Sequence, residues 1–405
     1  MLSECGYDQV RLRLISPLTV FLSSWLLVAL LYSLRLSELQ LYDLSEILLA
    51  QLIFILPFCA FYAVGILMFR AVRSLYGGRR DFVQTGEGSQ VPAWAARVNA
   101  MCLVFFALTL VEVAVAGYVP LVSMLRGAQI SHFSFGISSV HGLVLALGAL
   151  LSTAAFYCYL LGAGRRYLLL SVMCLGVFAL LVTRKMIVVS VLQMLFIFIA
   201  VKGVPSLARM VVIVVSGVAV ICLFGWIGDV RTGRELFLSL SNPVFSYPEW
   251  LPTGFMWIYM YLVTPILNFT NAIHVISQFS GDASFTCSLW PRVVRGAFGC
   301  VEVEDAFAFP YQVSGAFNVA TGYISIFMSL SKYGVAIFSA AHGFVAAWVM
   351  AFTGSKVSRV VVYSIIMQIT LLMVFANGFF NLNVLAQIPL VWLVFMRPGL
   401  RLRFC

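Results

Sequence analysis

Charge is scarce in this 405-residue chain: only 10% of its residues are Asp, Glu, Lys or Arg. A soluble globular domain carries nearer a quarter, so an ordinary water-facing surface is excluded. Acid is scarcer than base, with 15 carboxylates against 25 Lys and Arg. The 4 histidines, His132, His141, His274 and His342, are too scattered for metal-ligand spacing. No Asp-x-Asp metal motif and no low-complexity tract occurs. No internal repeat is visible, which weighs against transporter folds built from repeats. The first apolar run, 18–34, is not followed by a small-x-small cleavage pattern and reads as a retained span.

What is abundant is apolar residue, 62% of the chain. It comes in runs of the roughly 17–25 residues that cross a bilayer. The fold class expected is therefore an all-α, polytopic integral membrane protein, because a β-barrel would show short alternating strands instead. About ten spans are predicted, at 17–34, 47–69, 98–118, 141–161, 168–183, 186–201, 209–227, 333–352, 360–378 and 382–396. The whole of 1–405 reads as one membrane domain, with a large outer loop over 228–332 carrying amphipathic helices.

Positive charge sets the orientation. With both termini in the cytoplasm, Arg11, Arg13, Arg70, Arg73, Arg79, Arg80, Arg97, Arg165, Arg166, Lys202, Arg209, Lys356, Arg359 and the basic C-terminus all lie inside. The net charge of +10 is then a topology signal, and no nucleic-acid partner is implied. The segment 255–276 is apolar enough to tempt assignment as a span, but crossing there would turn the later cations outward. It reads instead as a re-entrant or surface-lying helix pair broken at Pro265. Of 9 cysteines, Cys59, Cys102, Cys158, Cys174 and Cys222 lie in spans, while Cys5 and Cys405 face the cytoplasm. Cys287 and Cys300 share the outer loop, where an oxidising compartment permits a bridge that spacing alone does not fix.

A minority of cations falls on the outer side. Arg184 and Lys185 stand together in the turn between two spans. Ionisable groups at such depth cost roughly 2.5–3.5 kcal/mol each, so they are usually paired or functional. Snorkelling to the headgroups is the bland alternative. Arg231 and Arg234, and again Arg292 and Arg295, are spaced three apart, which shares a face if the stretch is helical. A structural cluster with Asp229 and Glu235 competes with that reading. Guanidinium forks match phosphate oxygens, and aromatics such as Trp250, Trp257, Tyr259, Tyr261 and Trp290 serve as interface anchors or stack on sugar rings.

Four stretches carry a resemblance. "MWIYMYLVTPILNFTNA" (256–272), "AFNVATGYISIFMSLSKYGVAIFSAAHGFVAAW" (316–348), "SFGISSVHGL" (134–143) and "TRKMIVVSVLQ" (183–193) are similar to segments of bacterial oligosaccharide repeat-unit polymerases, the Wzy-type O-antigen polymerases. The family's acidic-Phe-Gly step reads Lys332-Tyr333-Gly334 here, so no role is carried over from its carboxylate. The resemblance implies a GT-C-like helical glycosyltransferase of the bacterial inner membrane that uses neither metal nor other cofactor. Its donor and acceptor would be undecaprenyl-pyrophosphate-linked oligosaccharides at the periplasmic face. A chain-length regulator is a further expected partner beside membrane lipid, and the surface polysaccharide would belong to lipopolysaccharide.

Without a metal, side-chain cations must stabilise the departing diphosphate. Arg184 and Arg231 are the expected catalytic cations, with Lys185, Arg234, Arg292 and Arg295 binding substrate beside them. Tyr259, Tyr261, Asn268, His274, Asn318 and Thr321 are the expected sugar contacts. Glu249 is the favoured general base, ahead of His274, Asp229 and His141. Glu112, inside the third span, is expected to pair with a cation such as Arg126 or Arg184. The rival functions are an O-antigen ligase and a flippase or transporter of lipid-linked oligosaccharide.

Overall fold

The structure, a computed structural model, describes residues 15–75, 91–127, 135–137, 140–203, 206–298, 300, 310–353 and 357–395. Cys5, Cys405 and residues 77–90 lie outside them, as do the side chains of Arg231 and Arg292. Among the described residues the regular structure is helical, and strand pairing is limited to an isolated bridge of Ser37 with Pro243. Ser16 opens α1 (Pro17–Ser33): its hydroxyl accepts the Thr19 N–H, and Pro17 occupies a position where the helix needs no donor. There follow α2 (Leu44–Leu75), α3 (Val91–Ala116), α4 (Pro120–Leu125), α5 (Val140–Leu160), α6 (Arg165–Leu180), α7 (Arg184–Lys202) and α8 (Leu207–Thr232). The chain continues as α9 (Arg234–Ser241), α10 (Gly254–Val275), α11 (Arg292–Arg295), α12 (Ile324–Phe352), α13 (Val357–Leu372), α14 (Leu382–Leu385) and α15 (Gln387–Phe395).

Among the described residues, 5 helical stretches are long and apolar enough to cross a membrane: Leu44–Ser74, Trp94–Ala116, Val140–Leu160, Arg184–Lys202 and Ile324–Phe352. Pro17–Ser33, Ser358–Leu372 and Leu382–Phe395 are shorter apolar helices. Leu26, Leu30, Leu49, Leu56, Leu103 and Leu110 stand exposed on these elements. So much apolar surface calls for a non-aqueous cover, and the protein is membrane-embedded. In α2 only 22% of the most apolar window is buried within the protein, against 78% in α5. The hub is therefore α5, with α3, α6, α7, α14 and α15 packed around it.

Paired contacts give each helix its direction. In α1 and α2, Phe21 meets Phe58 and Trp25 meets Phe54, so the two are antiparallel. In α2 and α12, Ser339 donates to the Phe54 carbonyl and Phe352 meets Phe69, so these two are parallel. Trp94 lies against Tyr157 while Glu112 bonds His141, which sets α3 antiparallel to α5. Ser171 donates to the Ser152 carbonyl and Phe178 closes on Gly148, so α6 is antiparallel to α5 as well. Tyr363 holds the Ile15 carbonyl near the start of α13, and the Met373 carbonyl accepts the Gly322 N–H beyond its end. Helix ends thus fall on two faces. One gathers Ser16, Trp94, Arg165, Lys202 and Phe395; the other gathers Ser33, Leu44, Ala116, Val140, Leu180, Arg184, Thr232, Ile324 and Leu372.

The structure revises the expected outer loop. The eighth helix runs on to Thr232, and α12 starts at Ile324 with a bend at Ser331, so helix occupies both ends of 228–332. The predicted break at Pro265 is absent: α10 is one continuous helix. Proline removes a backbone donor, yet every residue from Val263 to Thr270 is buried and the helix continues through it. Both ends of α10 meet the same 35–46 connection. Tyr259 accepts the Leu36 N–H near its start, and His274 stacks on Tyr42 near its end. Since α8 ends and α12 begins on this face, α10 leaves the chain on the face where it entered.

Candidate functional site

Arg184 and Lys185 stand on the second face, both exposed, as the first residues of α7. A helix N-terminus bears partial positive charge, so two cations there are disfavoured by roughly 0.3–1 kcal/mol each. Neither side chain has an ion pair or hydrogen bond among the described residues. Helix stability does not explain the pair. Backbone N–H groups and two side-chain cations at one spot make a place for an anion.

Two other expected anion ligands serve the protein's own backbone. Arg234 donates to the Pro248 carbonyl at 2.8 Å and to the Leu251 carbonyl at 3.2 Å, lies 3.9 Å from Asp229, and covers the Tyr247 ring. Arg295 donates from Nε to the Trp290 carbonyl at 3.0 Å, inside the loop closed by the Cys287–Cys300 disulfide. The shared helical face of Arg231 and Arg234 does not form. Gly233, at φ +86°, ends α8 and starts α9 between them, a left-handed step that glycine takes without a Cβ clash. Glu249 is exposed on the turn at 249–250 and forms no ion pair among the described residues.

The expected sugar contacts divide between buried and displayed. Asn268 is fully buried: its amide donates to the Phe317 and Val319 carbonyls, and its Oδ1 accepts the Val313 N–H. The two carbonyls flank Asn318, which is exposed. The Pro-x-x-Asn and Asn-x-x-Thr segments therefore meet in space, with Asn268 holding the loop that displays Asn318. Thr321 is buried and its Oγ1 accepts the Tyr323 N–H ahead of α12. Tyr259 is buried and donates to Gln40, whereas Tyr261 is exposed beside Trp257 in a stack that continues to Phe237. His274 places Nε2 3.5 Å from Glu46, a half-exposed pair stacked on Tyr42. Tyr311, whose backbone carbonyl is held by Asn271, has its hydroxyl pKa pushed up to about 12 by burial.

Under the bend in α12, loop and helix complete each other. Ser331, at φ 59° and ψ −167°, interrupts the helix. The Met328 and Ser329 carbonyls just before it accept the Ser280 and Gly281 N–H groups, and the Ser284 and Ser329 hydroxyls bond at 2.9 Å. Hydrogen bonds from Ser284 and Ser280 hold the Asp282 carboxyl below the usual carboxylate range. The disulfide loop is thereby fixed over α12, with Phe285 against Phe380.

Sequence reasoning paired Glu112 with a cation; its partner is His141. Oε2 lies 3.0 Å from Nδ1 of His141, and Oε1 accepts the Ile137 N–H at 3.3 Å. The Glu112 side chain is 1% exposed and that of His141 is 17%. Phe135 packs edge-on to the imidazole, and Gly136 crosses so near that a Cβ there would come within 2.7 Å of the ring. A carboxylate interrupting one apolar run and a histidine opening another were the available signal. Which histidine the carboxylate meets depends on how α3 and α5 pack.

No protein-family model, curated protein or solved structure matches the chain. The functional reading therefore rests on these residues.

Proposed function

We propose that the chain is a polymerase of lipid-linked oligosaccharides: a glycosyltransferase that transfers a growing glycan from undecaprenyl pyrophosphate to the next lipid-linked repeat unit. In this reading about ten helices cross the inner membrane in a GT-C-like arrangement. The face with Arg165 and Lys202 is cytoplasmic and the face with Arg184 is periplasmic. The disulfide on that second face supports the assignment, because such bonds persist in oxidising compartments.

The observation that carries the proposal is the exposed Arg184–Lys185 pair, set against the helix dipole on the face opposite Arg165, Arg166 and Lys202. A diphosphate at the membrane surface, with its polyprenyl tail in lipid, matches that charge and that depth. Donors fixed where negative charge grows lower the barrier to leaving-group departure. The displayed Asn318 and Tyr261, on segments packed together, suit sugar hydroxyls and ring faces.

The test uses lipid extracted from cells lacking this chain, in which unpolymerised lipid-linked units accumulate. Vesicles containing the protein should convert that lipid into a ladder of longer glycans. Arg184→Ala should slow laddering on the order of 10²-fold at equal abundance in the membrane. Substrate that changes leaflet without growing would identify a flippase, and transfer confined to a lipid A core would identify a ligase. Either result overturns the proposal.

A further inference from the structure

We infer that His141, oriented by Glu112, is the general base that takes the proton from the acceptor hydroxyl. This deepens the polymerase reading and rests on it. The buried carboxylate fixes the imidazole tautomer: with Nδ1–H directed to Glu112 Oε2, the lone pair sits on Nε2. The carboxylate is itself anchored by the Ile137 N–H, and the ring is clamped between Gly136 and Phe135. His141 keeps enough exposure at the end of α5 for Nε2 to be reached. The His274–Glu46 pair lacks these features, being longer and nearly half exposed on both sides.

The level of the dyad suits the task. The Thr153 hydroxyl donates to Gln193, which ties α5 to α7 at one depth. His141 lies about 18 Å along α5 from that point and Arg184 about 14 Å along α7, at 1.5 Å per residue. The two helices run in the same direction and pack directly. The base and the cation pair therefore end within about 5 Å of one level, on neighbouring helices whose axes at their contacts lie about 8–10 Å apart. A sugar ring joined to a diphosphate spans such a gap. The charged groups at this end of the elements packed against α5 are Glu112 on α3 and Arg184 and Lys185 on α7. The adjoining α14 brings none.

The step balances. The acceptor hydroxyl gives its proton to Nε2, and its oxygen pair forms the new bond to the anomeric carbon of the donor. The bond from that carbon to the diphosphate oxygen breaks, and its electrons leave with the polyprenyl diphosphate beside Arg184 and Lys185. Glu112 stabilises the imidazolium until it returns the proton to water.

The experiment measures initial laddering rates in vesicles, with lipid from cells lacking the chain, across substrate concentration, for four proteins: unmodified, His141→Asn, Glu112→Gln and the double variant. Asparagine keeps a donor where Nδ1–H stood, so it preserves the bond to Glu112 while removing the base. His141→Asn should lose about 10²-fold or more in rate with an unchanged melting temperature, and the double variant should be no slower. Glu112→Gln should lower kcat with KM unchanged, since the imidazole loses the carboxylate that fixes its tautomer and orientation. A merely structural pair would leave His141→Asn within threefold of the unmodified protein and the kcat of Glu112→Gln unchanged, and that result overturns the assignment. An unmodified protein that makes no ladder overturns the polymerase reading itself, and the assignment with it.

Discussion

Replacing Gly343 with alanine tests the packing that sets the chain's direction. Gly343 sits on α12 against α2, and a Cβ built on it would lie 2.3 Å from the Phe58 carbonyl oxygen and 3.0 Å from the Phe58 carbonyl carbon and Cα. Those are backbone atoms and cannot rotate aside. Ordinary contact begins at 3.4 Å, so the helices must part by about 1 Å, and overpacking of this kind costs about 1–3 kcal/mol. The same movement stretches the bond from Ser339 Oγ to the Phe54 carbonyl, now 2.7 Å, beyond hydrogen-bond reach, adding about 0.5–1.5 kcal/mol. The expected loss is therefore about 2–4 kcal/mol in equilibrium unfolding from mixed micelles. Gly176 on α6 is the control: nothing lies within 4 Å of its Cβ position, and alanine there should be neutral or gain up to about 1 kcal/mol. Equal stability of Gly343→Ala and Gly176→Ala would refute the parallel α2–α12 contact. With it would go the argument that both helices start from one face.

Three further outcomes are expected. Asn268→Leu removes two donated bonds and one accepted bond from a fully buried amide; at about 0.5–1.5 kcal/mol each it should destabilise the protein by about 2–4 kcal/mol and raise hydrogen exchange over 311–319, and unchanged exchange there would contradict the proposed hold on that loop. After mild reduction of intact spheroplasts, a membrane-impermeant maleimide should label Cys287 and Cys300 but not a cysteine placed at Gly162; labelling of Gly162→Cys instead would invert the orientation. Asp282 has a depressed folded pKa, so its stabilisation of the 280–284 turn is complete above the unfolded value near 3.8 and is lost as pH falls through the folded one; protection of the Ser284 amide should therefore drop below about pH 4, and protection that persists to pH 2 would exclude the carboxylate as its cause.

The apolar helices were legible because hydrophobic length is a one-dimensional property. The 186–201 run became α7, and 209–227 became α8, extended by one turn and more. What was not legible depended on partners. A proline in an apolar run reads as a break, but Pro265 is enclosed by buried neighbours and the helix continues. Arg231 and Arg234 look like one face until Gly233 takes a positive φ between them. Arg234 and Arg295 announce charge in the sequence, but the carbonyls of Pro248, Leu251 and Trp290 that absorb their donors are visible only once the loop is folded. Asn268 was expected to meet sugar and instead supports the segment that displays Asn318.

The described candidate cations on the second face thus fall into two kinds, and the difference bears on function. Where a guanidinium satisfies backbone carbonyls, as at Arg234 and Arg295, its energetic reason for being there is complete. Removing it breaks hydrogen bonds to part-buried carbonyls, at about 0.5–1.5 kcal/mol each. Arg184 and Lys185 have no such reason: they oppose the dipole of α7 and meet no described partner. Mutation to alanine should therefore leave stability unchanged or slightly higher at those two positions and lower it at Arg234 and Arg295. That inversion separates ligand-directed cations from architectural ones without any knowledge of the sugars involved. If Arg184→Ala proved as destabilising as Arg234→Ala, the pair would belong to the fold, and the case for a diphosphate bound beside it would lose its ground.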